Sequence, residues 1–366
     1  MDPLPLAQAM LRLKSVTPED AGVQTVLAQT LEGLGFTVTR LRFGKIENLF
    51  AERGQGSGPH LCFAGHTDVV PEGAATWRYD PYGGIVEDGI LYGRGACDMK
   101  GAIAAFIAAA AAPAGHVSLL ITGDEEGDAT DGTVRVLDWM KAHDKIPDFC
   151  IVGEPTSRVT LGDTVKIGRR GSLNAWITVT GRQGHAAYPQ LADNPIHHLV
   201  PALAELAAHR LDDGTAWFEP SSLQITSVDV GNPATNVIPA VARATLNIRF
   251  NDQHSEASLS DFLTEILAKH APAADLRVKC SGESFLTTPG DATARLSAAI
   301  LAATGHTPAQ NTGGGTSDAR FIARYCPVAE FGLVGATMHQ EDECVPVAQL
   351  RQLTTIYRNL IESFAP

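Results

Sequence analysis

Leu61-Cys62-Phe63-Ala64-Gly65-His66-Thr67-Asp68-Val69-Val70 and, further along, Gly93-Arg94-Gly95-Ala96-Cys97-Asp98-Met99-Lys100 decide how this chain is read. The first is an apolar run that stops at a histidine. The second is a glycine-rich turn that stops at an aspartate and runs into the alanine-rich stretch 102–112. A buried strand delivering a His and a loop-to-helix junction delivering an Asp are how an α/β sheet builds a metal site at its strand ends. Two residues do not make a site, but the ends of later strands carry further ligands of the same type.

Working outward, helical apolar spacing covers 5–12 and 20–34, with Gly35 as the closing C′ glycine. Strands are expected over 36–43, 48–51 and 60–64, with a glycine-rich turn over 52–59. A helix over 102–112 is expected from alanine propensity, then a buried strand over 117–122, a helix over 133–143 and a short strand over 149–152. Alternating helices and short apolar strands are the α/β signature. The pattern then changes: strand 173–180, helix 195–210, strands 223–230 and 242–250, helix 258–270, strand 276–280. That β-α-β-β-α-β order is the ferredoxin-like motif. From about 287 the first pattern resumes, with a helix over 292–304, a strand over 328–332 and a C-terminal helix over 347–364. The expected organisation is therefore a catalytic α/β domain in two parts, 1–171 and 285–366, around an inserted ferredoxin-like domain, 172–284.

Composition narrows the function. The 366 residues carry 28 basic and 41 acidic side chains, a formal net charge of −13. This argues against nucleic acid and anionic membrane surfaces as partners, while leaving a small anionic substrate open, since a few local arginines outweigh a global charge. No apolar run approaches the length of a membrane span, and the first 14 residues show no basic-then-apolar leader pattern. The six cysteines are scattered without a CxxC pair, which reads as reduced thiols and a cytoplasmic protein.

Five candidate ligands fall at strand or loop ends: His66, Asp98, Glu126, Glu154 and His339. Singly, each has a plain alternative. Asp98 could be a helix N-cap, Glu154 an ordinary loop acid, and His66 or His339 a solvated polar group. Together they all follow strands or turns of one expected sheet. Asp124-Glu125-Glu126 adds weight, because adjacent carboxylates repel and a cation relieves that cost. Adjacent glutamates can also divide labour, one binding metal and the other moving protons. Mixed His and carboxylate ligands suit zinc, with cobalt or manganese as substitutes, and a single Asp can bridge two ions.

These runs, with Gly123-Asp124-Glu125-Glu126-Gly127 and Val152-Gly153-Glu154-Pro155, resemble the M20 family of co-catalytic zinc amidohydrolases. The resemblance extends over nearly the whole chain. Further runs are similar to the branch that cleaves the succinyl amide of N-succinyl-LL-2,6-diaminopimelate, a step of lysine and diaminopimelate synthesis. They are Gly168-Arg169-Arg170-Gly171-Ser172, Gly184-His185-Ala186-Ala187-Tyr188-Pro189, Leu191-Ala192-Asp193-Asn194-Pro195, Gly314-Gly315-Thr316-Ser317-Asp318-Ala319-Arg320-Phe321 and Met338-His339 with Glu343-Cys344-Val345. The branch has Asn-Asn where this chain has Thr235-Asn236.

The resemblance implies a zinc-peptidase-like fold with two zinc ions per subunit. One would be held by His66 and Glu154, the other by Glu126 and His339, with Asp98 bridging and the peptide after it cis. It also implies Asp68 supporting His66, Glu125 as general base and acid, and His185 stabilising the oxyanion in a partner subunit's site. The inserted domain would then be both lid and homodimer interface. Arg169, Tyr188, Asn236, Arg249 and the 314–316 segment (Gly314, Gly315, Thr316) would contact substrate. Two plain alternatives stay open: His185 as a surface loop residue and Arg249 in a structural ion pair.

Overall fold

The computed structural model describes residues 1–56 and 58–366; Ser57, inside the turn expected over 52–59, lies outside the described residues. The chain separates into two compact units. The first comprises Met1–Ile167, Thr287–Asn311 and Ser317–Pro366; the second comprises Gly168–Leu286 and Thr312–Thr316. The second unit thus takes in residues 312–316 from the stretch that the sequence assigned to the first. Contacts within that unit explain this: Thr312 Oγ1 donates to the Trp217 carbonyl at 2.5 Å, and Arg169 Nη1 to the Gly315 carbonyl at 3.0 Å.

The first unit is built on an eight-stranded mixed sheet. Its order is Thr37–Phe43, Ile46–Arg53, His116–Thr122, His60–His66, Phe149–Val152, Val328–Glu330, Thr164–Lys166, Ala309–Asn311. The four strands in the middle, from His116–Thr122 to Val328–Glu330, run parallel, so their carboxyl ends share one edge. His60–His66 is buried at every position, as expected of a strand covered on both faces. Its register aligns His66 with Thr122 and Ala64 with Val152. Residues just past Thr122 and Val152 therefore emerge beside His66.

Helices cover the sheet. Val23–Gly33 ends as its sequence predicts: Gly35 takes φ +81°, its N–H bonds the Glu32 carbonyl, and Phe36 N–H bonds that of Leu31, a Schellman closure. Lys100–Ala109 is buried at every residue. Its alanines bring it close to the sheet, where Phe106 stacks on Phe63 at 4.4 Å between centroids. The C-terminal helix Val347–Phe364 anchors there too, with Tyr357 Oη donating to the Phe331 carbonyl at 2.6 Å. A small three-stranded sheet, ordered Cys344–Pro346, Ile90–Tyr92, Ile85–Glu87, was not expected from the sequence. Strands of three residues carry no readable periodicity.

The second unit has the β-α-β-β-α-β order. Its strands Gly171–Thr180, Ser222–Asp229, Val241–Phe250 and Asp275–Gly282 form an antiparallel sheet in which Gly171–Thr180 and Val241–Phe250 are central. Leu173, Ala175, Ile177 and Val179 alternate inward against Leu199 and Leu203 of helix Pro195–Ala208 and Leu259 and Leu263 of helix Glu256–His270. The second of these helices begins earlier than expected, because Ser255 and Ser258 make a reciprocal cap.

Close packing at Gly101 gives a stability test. A Cβ there would lie 2.3 Å from the Ala96 carbonyl oxygen and 2.8 Å from Leu333 Cδ1. Gly101→Ala is expected to lower stability by about 1–3 kcal/mol, read as an earlier urea midpoint. An unchanged midpoint would show that the helix does not need this approach.

Candidate metal centre

All five expected ligands lie in the first unit, and the structure brings them together. His66 ends its strand, Glu154 follows Phe149–Val152, and Glu126 follows His116–Thr122. Asp98 sits just ahead of helix Lys100–Ala109. The N-cap position there is Met99, with no side-chain cap bond, so Asp98 is not a cap. The Asp98–Met99 peptide is cis. Two triplets share Asp98: His66, Asp98 and Glu154, and Asp98, Glu126 and His339, each with ligand atoms within 4.8 Å of one another.

The aspartate divides its two oxygens between them. Oδ1 is 3.2 Å from His66 Nε2, and Oδ2 is 3.2 Å from His339 Nε2. His339 Nε2 also lies 2.7 Å from Glu126 Oε1, and His66 Nε2 4.0 Å from Glu154 Oε1. Two ligand atoms each about 2.0 Å from a tetrahedral zinc stand about 3.3 Å apart. The 3.2 Å separations match that edge, and a donor set of two imidazoles and three carboxylates is one zinc accepts. The residues therefore fit a pair of ions sharing one carboxylate.

Supporting bonds fix the ligands. His66 Nδ1 faces the Asp68 main-chain carbonyl at 2.9 Å. A carbonyl only accepts, so Nδ1 carries the proton and Nε2 is left for a cation. The Asp68 carboxylate is 3.7 Å from that ring and is committed elsewhere, accepting Glu125 N–H at 3.2 Å and Glu126 N–H at 3.0 Å. Asp68 thus sets the backbone of both glutamates as well as the tautomer of His66. Asp124 turns away from the ligands; its Oδ2 accepts the N–H groups of Thr130 and Asp131 and folds the following loop.

Charges in this cluster shift one another strongly. Burial would lower His66, but the hydrogen bond and charge of Asp98, then the charges of Glu125 and Asp68, raise it well above an ordinary histidine. Hydrogen bonds to Asp98 and Glu126 push His339 up to about 10. Burial acts upward on Asp98, yet bonds to His339 and His66 hold it well below the usual carboxylate range. Burial pushes Asp68 up to about 6. Glu125 is raised well above an ordinary carboxyl, first by burial and then by the Glu154 charge, with the His66 cation opposing. A carboxyl whose proton affinity is raised in this way suits general acid–base work.

Two acids beyond the expected set belong to this centre. Asp318 lines the same tight pocket as His66, Glu125 and Glu154. Its Oδ1 is buried without a hydrogen-bond partner among the described residues, and burial raises its pKa. Glu343, fully buried, accepts the N–H groups of Gly95, Cys97 and Asp98. Both stand in motifs quoted from the sequence, but only the folded chain shows what they touch.

Within the second unit, the expected substrate contacts form separate groups. Arg169 bonds Gly315, and a Cβ at Gly314, where φ is +110°, would lie 2.6 Å from Arg169 Nη1. His185 and Tyr188 are exposed, with ring centroids 5.6 Å apart, and the Asn236 carbonyl accepts the Ala186 N–H at 2.9 Å. Ala187 N–H donates to His185 Nδ1 at 3.0 Å, which leaves Nε2 as that ring's proton donor. Arg249 Nε donates to Asn247 Oδ1 rather than to a carboxylate, and burial, then the Arg170 charge, lower its pKa.

Comparison with known proteins gives the family and the fold. The model of peptidase family M20/M25/M40 matches residues 62–363. A succinyl-diaminopimelate desuccinylase of Acidiphilium cryptum is 62% identical, covering 99% of this chain and 98% of the relative. The protein of the same description from Granulibacter bethesdensis is 61% identical over 99% and 98%. Among solved structures, the aminopeptidase PepT of Bacillus cereus superposes with a TM-score of 0.79 at 18% identity, covering 99% of this chain and 98% of that one.

The raised histidines set the pH dependence of metal uptake. Below their pKa values His66 and His339 hold protons that a metal must expel. Zinc affinity is therefore expected to rise from pH 6 to pH 8, by roughly tenfold per unit for each proton expelled. Titration calorimetry in buffers of different ionisation enthalpy reads the release directly. A flat profile with no proton release would contradict the assignment of these imidazoles.

Proposed function

The chain belongs to peptidase family M20/M25/M40, and from that footing we propose that it is a dinuclear zinc hydrolase of N-succinyl-LL-2,6-diaminopimelate. It cleaves the succinyl amide, giving succinate and LL-2,6-diaminopimelate for lysine and diaminopimelate biosynthesis. The observation that carries the reaction class is Asp98, with one oxygen turned to each triplet. The substrate follows the description shared by relatives 61–62% identical over nearly the whole chain.

His66 and Glu154 would hold one ion, Glu126 and His339 the other, with Asp98 between; cobalt or manganese could substitute. Bound zinc supplies Lewis acidity toward the amide carbonyl and lowers the pKa of the attacking water. Glu125 takes a proton from that water and returns it to the departing amine. Its raised proton affinity favours the return. His185, with its proton on Nε2, is assigned to the oxyanion of the tetrahedral intermediate. Arg169 and Arg249 are assigned to the substrate's carboxylates. Tyr188, Asn236 and the Gly314, Gly315 and Thr316 backbone complete the substrate contacts.

We further read the 168–286 unit as lid and homodimer interface, so that His185 serves a partner subunit. Support comes from the exposed apolar side chains Tyr188, Leu191 and Val228 and from the outermost position of Ser222–Asp229 in its sheet. A cytoplasmic setting is supported by the six cysteines being scattered along the sequence without a CxxC pair. No helix among the described residues is long and apolar enough to cross a membrane.

Zinc-loaded protein is expected to hydrolyse N-succinyl-LL-2,6-diaminopimelate and to leave N-acetylornithine nearly untouched. Glu125→Gln should cut turnover by about 10²–10⁴-fold with zinc content unchanged. Preference for the acetyl substrate would move the specificity elsewhere in the family. Full activity in Glu125→Gln would remove the residue from its role.

A further inference from the structure

Glu343 and Arg94 are among the most enclosed charges in the molecule, 0% and 2% exposed. Glu343 leads into Cys344–Pro346, and that strand's pairing with Ile90–Tyr92 lays the carboxylate against the turn that carries Asp98. Its Oε2 accepts from Arg94 Nη1 at 2.8 Å and Gly95 N–H at 3.0 Å. Its Oε1 accepts from Cys97 N–H at 3.0 Å and Asp98 N–H at 3.1 Å. The other terminal guanidinium nitrogen, Nη2, points to the carbonyl oxygens of His339 and Pro71, at 3.4 Å each, and the guanidinium carbon lies 5.0 Å over the Trp77 ring. One ion pair thus holds the backbone of Asp98 on one side and that of His339 on the other.

We propose that the Arg94–Glu343 pair is a positioning clamp that sets the metal affinity of the Asp98, Glu126 and His339 position in preference to the position served by His66 and Glu154. This rests on reading the two triplets as metal sites. The asymmetry follows from how the ligands are delivered. His66 ends a buried strand and Glu154 follows the strand beside it, so the sheet's own ladders hold them. Asp98, which both positions share, and His339 come from turns, so the clamp holds two of the three ligands at the second position and only one at the first. Gly95 sits at φ +88° and His339 at φ +62°, the second a conformation that a side-chain-bearing residue rarely adopts and that its neighbours must hold. A buried ion pair is a poor source of stability in itself. Here it satisfies three turn donors, those of Gly95, Cys97 and Asp98, and locates a carboxylate that must present one oxygen to each side. Removing such an outer partner weakens metal binding by roughly 10–100-fold.

The test is zinc binding by competition with a chromophoric chelator, on wild type, Glu343→Gln and Arg94→Met, alongside thermal midpoints of the metal-free proteins. Wild type is expected to bind two ions. Glu343→Gln should weaken one of them roughly 10–100-fold and the other at most a few-fold. In a His339→Ala background, where the affected position is already disabled, Glu343→Gln should move the remaining ion by no more than those few-fold. Equal losses at both ions, no loss at either, or a full-size effect in the His339→Ala background would overturn the clamp. A shift confined to the metal-free midpoint would do the same, leaving the pair a merely structural one. A wild type that binds fewer than two ions would instead overturn the metal reading beneath it. Should Glu343→Gln fail to fold, Arg94→Lys keeps the charge and carries the same comparison.

Discussion

An aspartate with an imidazole on each oxygen is the constraint from which this centre is built. Asp98 can face His66 and His339 at once only if its backbone is fixed where two structural systems meet. One is the parallel sheet, which delivers His66 and brings Glu154 and Glu126 out beside it. The other is the small sheet of three-residue strands, which brings Glu343 beneath the turn and leads on from His339. The buried helix Lys100–Ala109 starts at that junction, and its small residues let the turn sit close against the strands.

Carboxylates crowd the same space, and the fold gives each a different occupation. Asp68 spends its oxygens on the N–H groups of Glu125 and Glu126. Asp124 spends one on its own loop. Asp98 pairs with imidazoles, while Glu125 keeps an elevated proton affinity in a tight pocket it shares with Glu154 and Asp318. Like charges in a poorly hydrated site raise one another's pKa unless a cation intervenes. The histidines supply that cation in the metal-free protein, and a metal would supply it in the loaded one. The same crowding explains how one glutamate can act as a proton carrier while its neighbour is a ligand.

The sequence was most legible where apolar runs stop at a polar residue. Phe149–Val152 and Val347–Phe364 fall where the pattern put them, and His66, Glu126 and Glu154 follow strands that hydrophobic runs announce. The ferredoxin-like order was likewise readable from alternation and helical spacing. Asp98 was ambiguous, since an aspartate before a helix reads equally well as a cap; only the bonds to two imidazoles decide it. The part played by Glu343 was invisible, because the strands that place it are three residues long and its partners lie some two hundred and fifty residues earlier. Asp124 misled for a related reason: adjacency in sequence suggested three acids turned one way, and backbone donors in the next loop turned one of them aside.

The most direct test of this account is anomalous diffraction at the zinc edge from crystals grown with zinc. Two peaks are expected, roughly 3.5–4 Å apart as in other two-metal sites, one against His66 and Glu154, the other against Glu126 and His339, with one Asp98 oxygen on each. A single peak, or a second one that Asp98 does not touch, would contradict it.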